Sequence, residues 1–179
     1  MKPFGANLDR SWHSREGLRD AAVLAPILER GGEERLLVTE RRADLPEHPG
    51  QVAFPGGARE GDEDPVACAL REAREEVGID PATVQLLGRL PDRVSIAGYM
   101  VAAFVGRIPA PATVEFDRRE VEQVLEIPLA LLLDESRWRY EDRTGPKGTF
   151  RNVPFFEWDG PVLWGLTGMF VRDLLPHLR

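Results

Sequence analysis

The chain of 179 residues carries 23 basic and 30 acidic side chains, a formal net charge of −7, and is 42% hydrophobic. That is the composition of an ordinary soluble globular chain, long enough to bury about two-thirds of its unfolded surface, and one domain over residues 1–179 is the default. The acidic balance argues against broad nucleic-acid binding, which needs a basic footprint, and no apolar run approaches the roughly 20 residues of a membrane span.

The N-terminus, MKPFGANLDRSWHSREGLRD, lacks the apolar core of an export signal, and residues 1–19 read as a polar extension, loop or short helix, lying over the domain. Ala21 to Leu28 is an apolar run that reads as a buried strand; Gly31-Gly32 makes a turn, and Arg35 to Thr39 is a second strand. Glu40 to Gln51 contains Pro46, Pro49 and Gly50, so it reads as a loop, carrying Arg41, Arg42 and His48 ahead of a short strand from Gln51 to Phe54. Pro55-Gly56-Gly57 should break that strand. Asp64 followed by Pro65 is a helix start, an N-cap side chain with proline at the first helical position, and Gly78 is the matching stop.

Beyond that helix, Val84 to Leu90 and Tyr99 to Val105 read as strands, with breaks at Asp92-Arg93 and Ala97-Gly98. Glu120 to Leu125 reads as a short helix ended by Pro128, and Leu129 to Leu133 as another. Trp138 to Glu141 and Thr149 to Trp158 are expected strands joined by Gly145-Pro146-Lys147-Gly148, and Trp164 to Leu175 is the last helix. Helices covering a mixed sheet in an α/β arrangement follow. The single Cys68 rules out an intramolecular disulfide and fits a reducing, cytoplasmic setting.

The helix between Asp64 and Gly78 carries the chemistry. At about 100° per residue, Val66, Leu70, Ala73 and Val77 fall on one face, and Glu72, Glu75 and Glu76 gather on a neighbouring one. Three carboxylates on one side of one helix repel one another. A divalent cation relieves that repulsion, and Mg²⁺ favours a few carboxylates, several waters and substrate phosphates. The residues therefore point to a metal-dependent enzyme acting on a phosphate-containing substrate.

Gly57, five residues, Glu63, seven residues, then Arg71-Glu72-Ala73-Arg74-Glu75-Glu76-Val77-Gly78-Ile79 resembles the Nudix box, residues 57–79, with every defining position filled. The resemblance implies the Nudix fold, an α/β/α sandwich, and hydrolysis of a nucleoside diphosphate joined to another group. It implies Mg²⁺ or Mn²⁺ held by Glu72, Glu75 and Glu76, with Arg71 orienting them and the Gly57 backbone close to the metal. For the general base, Glu75 and a later acid are the candidates; Glu120 is the choice and Glu122 the fallback. Glu63 reads either as part of the box's functional set or as a residue that only holds the loop, by bonding Arg71 or nearby backbone.

The segment Leu37-Val38-Thr39-Glu40-Arg41 through Gly50-Gln51-Val52-Ala53-Phe54-Pro55-Gly56-Gly57 resembles the signature of the coenzyme A pyrophosphatases, and Leu163-Trp164-Gly165-Leu166-Thr167-Gly168 resembles that subfamily's closing segment. The implied substrate is coenzyme A or a derivative, a small nucleotide-containing molecule, with Arg41, Arg42, Gly50, Gln51 and Phe54 as contacts in a monomer or homodimer. Two positions depart: Arg42 where the family usually has Ser or Ala, and Pro46 where it usually has Arg. Arg41 or Arg42 could then grip the 3′-phosphate, or be a surface pair lying along a strand end. His48 reads as a loop surface residue rather than a ligand, and Phe54 and Trp164 as core rather than adenine platforms. The alternatives are another nucleoside diphosphate derivative (ADP-ribose, a dinucleoside polyphosphate, a damaged nucleotide) and a non-catalytic Nudix-fold regulator. Such a regulator is expected to lose box carboxylates, all of which are present here.

Overall fold

The computed structural model describes residues 8–45, 49–112, 114–145 and 148–178; Pro46, His48 and the Pro146-Lys147 pair of the expected turn lie outside them. In chain order the elements are β1 (Arg19–Arg30), β2 (Glu33–Arg41), β3 (Val52–Ala53), β4 (Gly56–Ala58), α1 (Pro65–Val77), β5 (Gln85–Val94) and β6 (Tyr99–Ile108). They continue with β7 (Val121–Pro128), α2 (Leu129–Leu132), β8 (Trp138–Gly145), β9 (Gly148–Phe156), β10 (Leu163–Trp164) and α3 (Gly165–Leu178).

Strand β1 is the axis of the larger sheet. It pairs antiparallel with β2 beyond a Gly31-Gly32 turn and antiparallel with β4 through Ala21–Val23. It also runs parallel to β6 from Arg19↔Tyr99 to Leu28↔Ile108, which makes the sheet mixed. Its near-continuous apolar run is explained by burial on both faces. Ala21, Ala25 and Ile27 enter one core with β6 residues Val101, Ala103 and Val105, and with α3 residues Phe170 and Leu174. Ala22, Leu24 and Leu28 enter the other core with Ala102, Phe104 and the α1 residues Val66, Ala69, Ala73 and Val77. The sheet is thus layered between α1 on one side and α2, α3 and the small antiparallel sheet β8–β9–β10 on the other.

Helix α1 forms where its capping residues place it. The Asp64 carboxylate accepts from the Ala67 N–H at 2.9 Å, and Gly78 closes the helix in the left-handed region. Val66 and Val77, at most 1% exposed, each contribute about 1.5–3 kcal/mol by burial. Residues 8–18 of the N-terminal extension form an irregular strap over this layer. The Trp12 indole N–H donates to the Glu63 carbonyl at 2.8 Å, and the Arg89 guanidinium donates to the carbonyls of Asp9 and Ser11.

Three expectations are corrected. Residues 120–125 are not helical: Val121–Pro128 is strand β7, lying along β2 from Arg41↔Val121 to Arg35↔Pro128. The β-branched Val121, Val124 and Ile127 suit a half-buried strand, and the open edge of β2 supplies the pairing that local propensity does not foresee. Asp92-Arg93 does not end a strand. Strand β5 runs on to Val94 through a register shift between Leu90 and Arg93, so the irregularity is a bulge on an edge strand that tolerates Pro91. Finally, Gly56 and Gly57 do not only break a strand, since they form β4 against Ala22 and Val23. The approach is so close that a Cβ on Gly56 would lie 2.5 Å from the Ala22 carbonyl oxygen.

Candidate active site

The loop after β4 and the exposed side of α1 meet at Arg71. Its guanidinium Nε and Nη2 donate to the two Glu63 oxygens at 3.1 and 2.9 Å, and Nη2 also donates to the Ala58 carbonyl at 3.0 Å. Nη1 donates to Glu72 Oε1 at 2.8 Å and Glu75 Oε2 at 3.3 Å. One planar cation therefore ties the loop to two carboxylates of the helix. The pairing holds the Glu63 carboxyl below its usual range, and Arg71 is raised in turn, first by Glu63. Glu63 also accepts from the Glu60 N–H at 2.8 Å, so it both pairs with Arg71 and braces the loop.

Gly57 lies directly over Glu72. A Cβ there would sit 2.4 Å from Glu72 Oε1, so only glycine leaves that carboxylate its place. Glu72 is raised by burial first, with Arg71 opposing and Glu75 adding to the rise. Glu76, one turn on and 9% exposed, is pushed up to about 8 by burial, then by Glu72 and Glu120, against the pull of Arg41. Glu120 is exposed just ahead of β7, where its N–H donates to the Asp117 carbonyl. Its charge reaches Glu76, whereas that of Glu122 reaches Arg42.

Beside these acids opens a cavity of about 590 Å³. Gly56, Gly57, Arg41 and Gln51 line its polar end, and Arg41 Nε is buried there without a hydrogen-bond partner. The backbone brings Arg41 and Gln51 together, with the Arg41 N–H donating to the Gln51 carbonyl at 3.0 Å. Phe54, 4% exposed, belongs to the core as expected and touches the cavity from beneath. Gly50 and Arg42 do not line it. Arg42 forks onto Asp44 at 2.8 and 2.6 Å and donates to the Arg118 carbonyl.

Trp164 corrects the sequence reading, for it is 36% exposed and lines the cavity. Sequence reasoning also missed Val94 at the end of β5, Ile96 of the β5–β6 connection, and Arg143 and Phe150 of the β8–β9 hairpin, which face the same space. The signal available was apolar side chains beside turns, visible only once the hairpins are known to converge.

The acids are not closed around one point, and among the described residues no group of three Asp, Glu, His or Cys side chains is arranged to hold an ion. Arg71 engages Glu72 and Glu75. The donor set nonetheless suits a hard divalent cation. Glu76 is buried among like charges, Glu72 is seated against the Gly57 backbone, and Arg41 is the cation acting on Glu76.

A mixed α/β sandwich that presents such a helix to a cleft has the form of a hydrolase of phosphoanhydride bonds. Residues 18–144 match the NUDIX domain family. The chain is 40% identical over 162 residues to the "Uncharacterized Nudix hydrolase NudL" of Photorhabdus laumondii, covering 90% of this chain and 86% of that protein. It is 41% identical over 157 residues to the Escherichia coli protein of the same name, covering 87% and 81%. In fold it is similar to RenU, a Nudix hydrolase from M. smegmatis, with a TM-score of 0.55 at 22% identity over 73% of this chain and 84% of that one. The chain belongs to the Nudix family. It is a pyrophosphohydrolase with a nucleotide-like small-molecule substrate, of a family that typically uses a divalent metal. Among the described residues no helix is long and apolar enough to cross a membrane.

Proposed function

We propose that this chain, acting as one domain over residues 1–179, is a coenzyme A pyrophosphatase dependent on Mg²⁺ or Mn²⁺. It would release 4′-phosphopantetheine and adenosine 3′,5′-bisphosphate. One observation carries the reading. The two segments that resemble the coenzyme A pyrophosphatase signature, 37–57 and 163–168, are far apart in sequence and share one largely apolar cavity at the acids. A space of about 590 Å³ is of ligand size and far exceeds a phosphate, so it supports a substrate with a bulky arm on the diphosphate.

Glu72 and Glu76, with Glu75 and the Gly57 backbone beside them, would hold the cation. A divalent ion there supplies charge neutralisation for the diphosphate and acidifies an attacking water. Arg71 positions Glu72 and Glu75 through its paired donors. Arg41, with its buried unpartnered Nε, offers a donor to a diphosphate oxygen. The water oxygen bonds to one phosphorus while the bond from that phosphorus to the bridging oxygen breaks. Glu75 or Glu120 takes the water proton, and the departing phosphate carries the bridging oxygen away. Gln51 lies at the mouth of this polar end.

The test is product analysis with coenzyme A, ADP-ribose and a dinucleoside polyphosphate, each with Mg²⁺ and with Mn²⁺. Coenzyme A should give the highest kcat/KM and the two products named. Intact coenzyme A alongside cleaved ADP-ribose would transfer the assignment to the latter class.

A further inference from the structure

Trp164 is a large aromatic ring left 36% exposed at the wall of an active-site cavity. Its plane is set from behind. Phe155, 3% exposed and not part of the cavity lining, lies parallel to it at 5.4 Å between centroids and 3° between planes. Strand pairing places the two side by side, Trp164 opposite Phe155, and Gly165, in the left-handed region at φ 66°, turns the chain at once into α3. An aromatic platform held this way loses little conformational entropy when a flat ligand lands on it.

A cation stands beside the platform. The Arg143 guanidinium is 4.8 Å from the Phe155 ring centroid and 5.8 Å from that of Trp164, and it lines the same cavity. It is half exposed, and Nη2 meets Glu141 at 3.1 Å. Guanidinium carries five N–H donors, so this pairing leaves capacity for an anion. Among the described residues the cavity has two guanidinium groups. Arg41 is beside the acids, and Arg143 is on the hairpin with Phe150.

We propose that Trp164 and Arg143 form the binding platform for the adenine nucleotide half of the substrate, the base stacking on the indole and a ribose-bound phosphate pairing with the guanidinium. The proposal deepens the function above and rests on its reading of the substrate as an adenine nucleotide diphosphate. It does not require the other half to be pantetheine.

Calorimetric titration of the full chain with adenosine 3′,5′-bisphosphate, with AMP and with 4′-phosphopantetheine tests it without relying on turnover. Removing a stacked base contact weakens binding by about five- to 150-fold, so W164A should bind the bisphosphate at least about fivefold more weakly. W164F, which keeps a ring, should stay within about threefold. R143A should weaken the bisphosphate about tenfold and AMP by less than about twofold, since AMP lacks the phosphate in question. Trp164→Leu serves as the folded replacement should W164A not fold. Wild type that binds no bisphosphate overturns the proposal. So does unchanged affinity in folded W164A or W164L, or a loss confined to 4′-phosphopantetheine. If coenzyme A is not hydrolysed while nucleotide binding still depends on Trp164, the substrate assignment fails and the platform stands.

Discussion

On one side of Gly57 the polar groups are crowded and cross-bonded. Arg71 reaches Glu63, Glu72, Glu75 and the Ala58 carbonyl, and Glu76 lies buried behind them. On the other side the cavity is mostly apolar, and Val94, Ile96, Phe150 and Trp164 leave 36–52% of their surface exposed around it. On the proposed function, the first region supplies the charge for phosphorus chemistry, at a cost in burial and repulsion. The second leaves apolar surface for a ligand to cover. Catalytic rate should therefore depend on the first wall, and substrate choice on the second.

The largest break in this division should come from the acids. Glu72→Gln keeps the size and removes the charge seated against Gly57. It should lower kcat by about 10³-fold with KM nearly constant. Steady-state kinetics at saturating Mg²⁺ check it, and a loss under about fivefold would remove Glu72 from the catalytic set. On the opposite wall, Ile96→Ala touches a side chain that is 52% exposed. It should raise KM for the preferred substrate about fivefold, leave kcat intact and keep stability within about 0.5 kcal/mol. A fall in kcat instead would show that the two walls do not divide the labour.

Glu76 sharpens the comparison as a stability effect. Burial, Glu72 and Glu120 push its carboxyl up to about 8 from an ordinary 4.5. A raised acid favours the protonated fold, so the associated stability is fully present below about 4.5 and is lost as pH rises through about 8. Without divalent cations the wild-type melting midpoint should fall across that window. Glu76→Gln, which cannot ionise, should lose this dependence and melt several degrees higher at pH 8.5, at about 2–4 °C per kcal/mol for this length. Adding Mg²⁺ should raise wild type more than the variant. Parallel pH profiles for both proteins would contradict a buried charged Glu76.

The same contrast explains what the sequence reveals. The acid wall comes from one run, 57–79, in which cap, apolar stripe and carboxylate spacing are local, so helix and acid face are legible in the residues, while the orienting role of Arg71 is what the Nudix-box resemblance implies. The cavity wall comes from β2, the β5–β6 connection, the β8–β9 hairpin and the start of α3. No local pattern states that Val94, Arg143 and Trp164 will face one space. Trp164 illustrates the loss: an aromatic beside Leu163 resembles core, and only the Phe155 stack shows which of its surfaces is covered. The helix expected over residues 120–125 fails for the same reason, because an acidic, Val-rich run is strand or helix according to whether β2 has an open edge.

Cys68 gives the smallest effect and tests how tightly the acid wall is closed. It is fully buried under the loop, where its Sγ lies 3.6 Å from the carbonyls of Gly57 and Ala58 and 3.8 Å from Arg71 Nη2. Burial pushes the thiol up to about 12, with Glu63 adding to the rise and Arg71 opposing. The raised value keeps the neutral thiol, whose contribution holds below the ordinary 9.0 and fades as pH climbs towards 12. Thiolate is therefore scarce at pH 8, and the thiolate is the species that attacks a disulfide reagent. Native protein should therefore react with a chromogenic aryl disulfide only as fast as it opens, and denatured protein at once. Stoichiometric labelling of the native chain within minutes would mean that the loop carrying Gly57 lifts from α1. The close fit of Gly57 over Glu72 would then be one state of a moving wall.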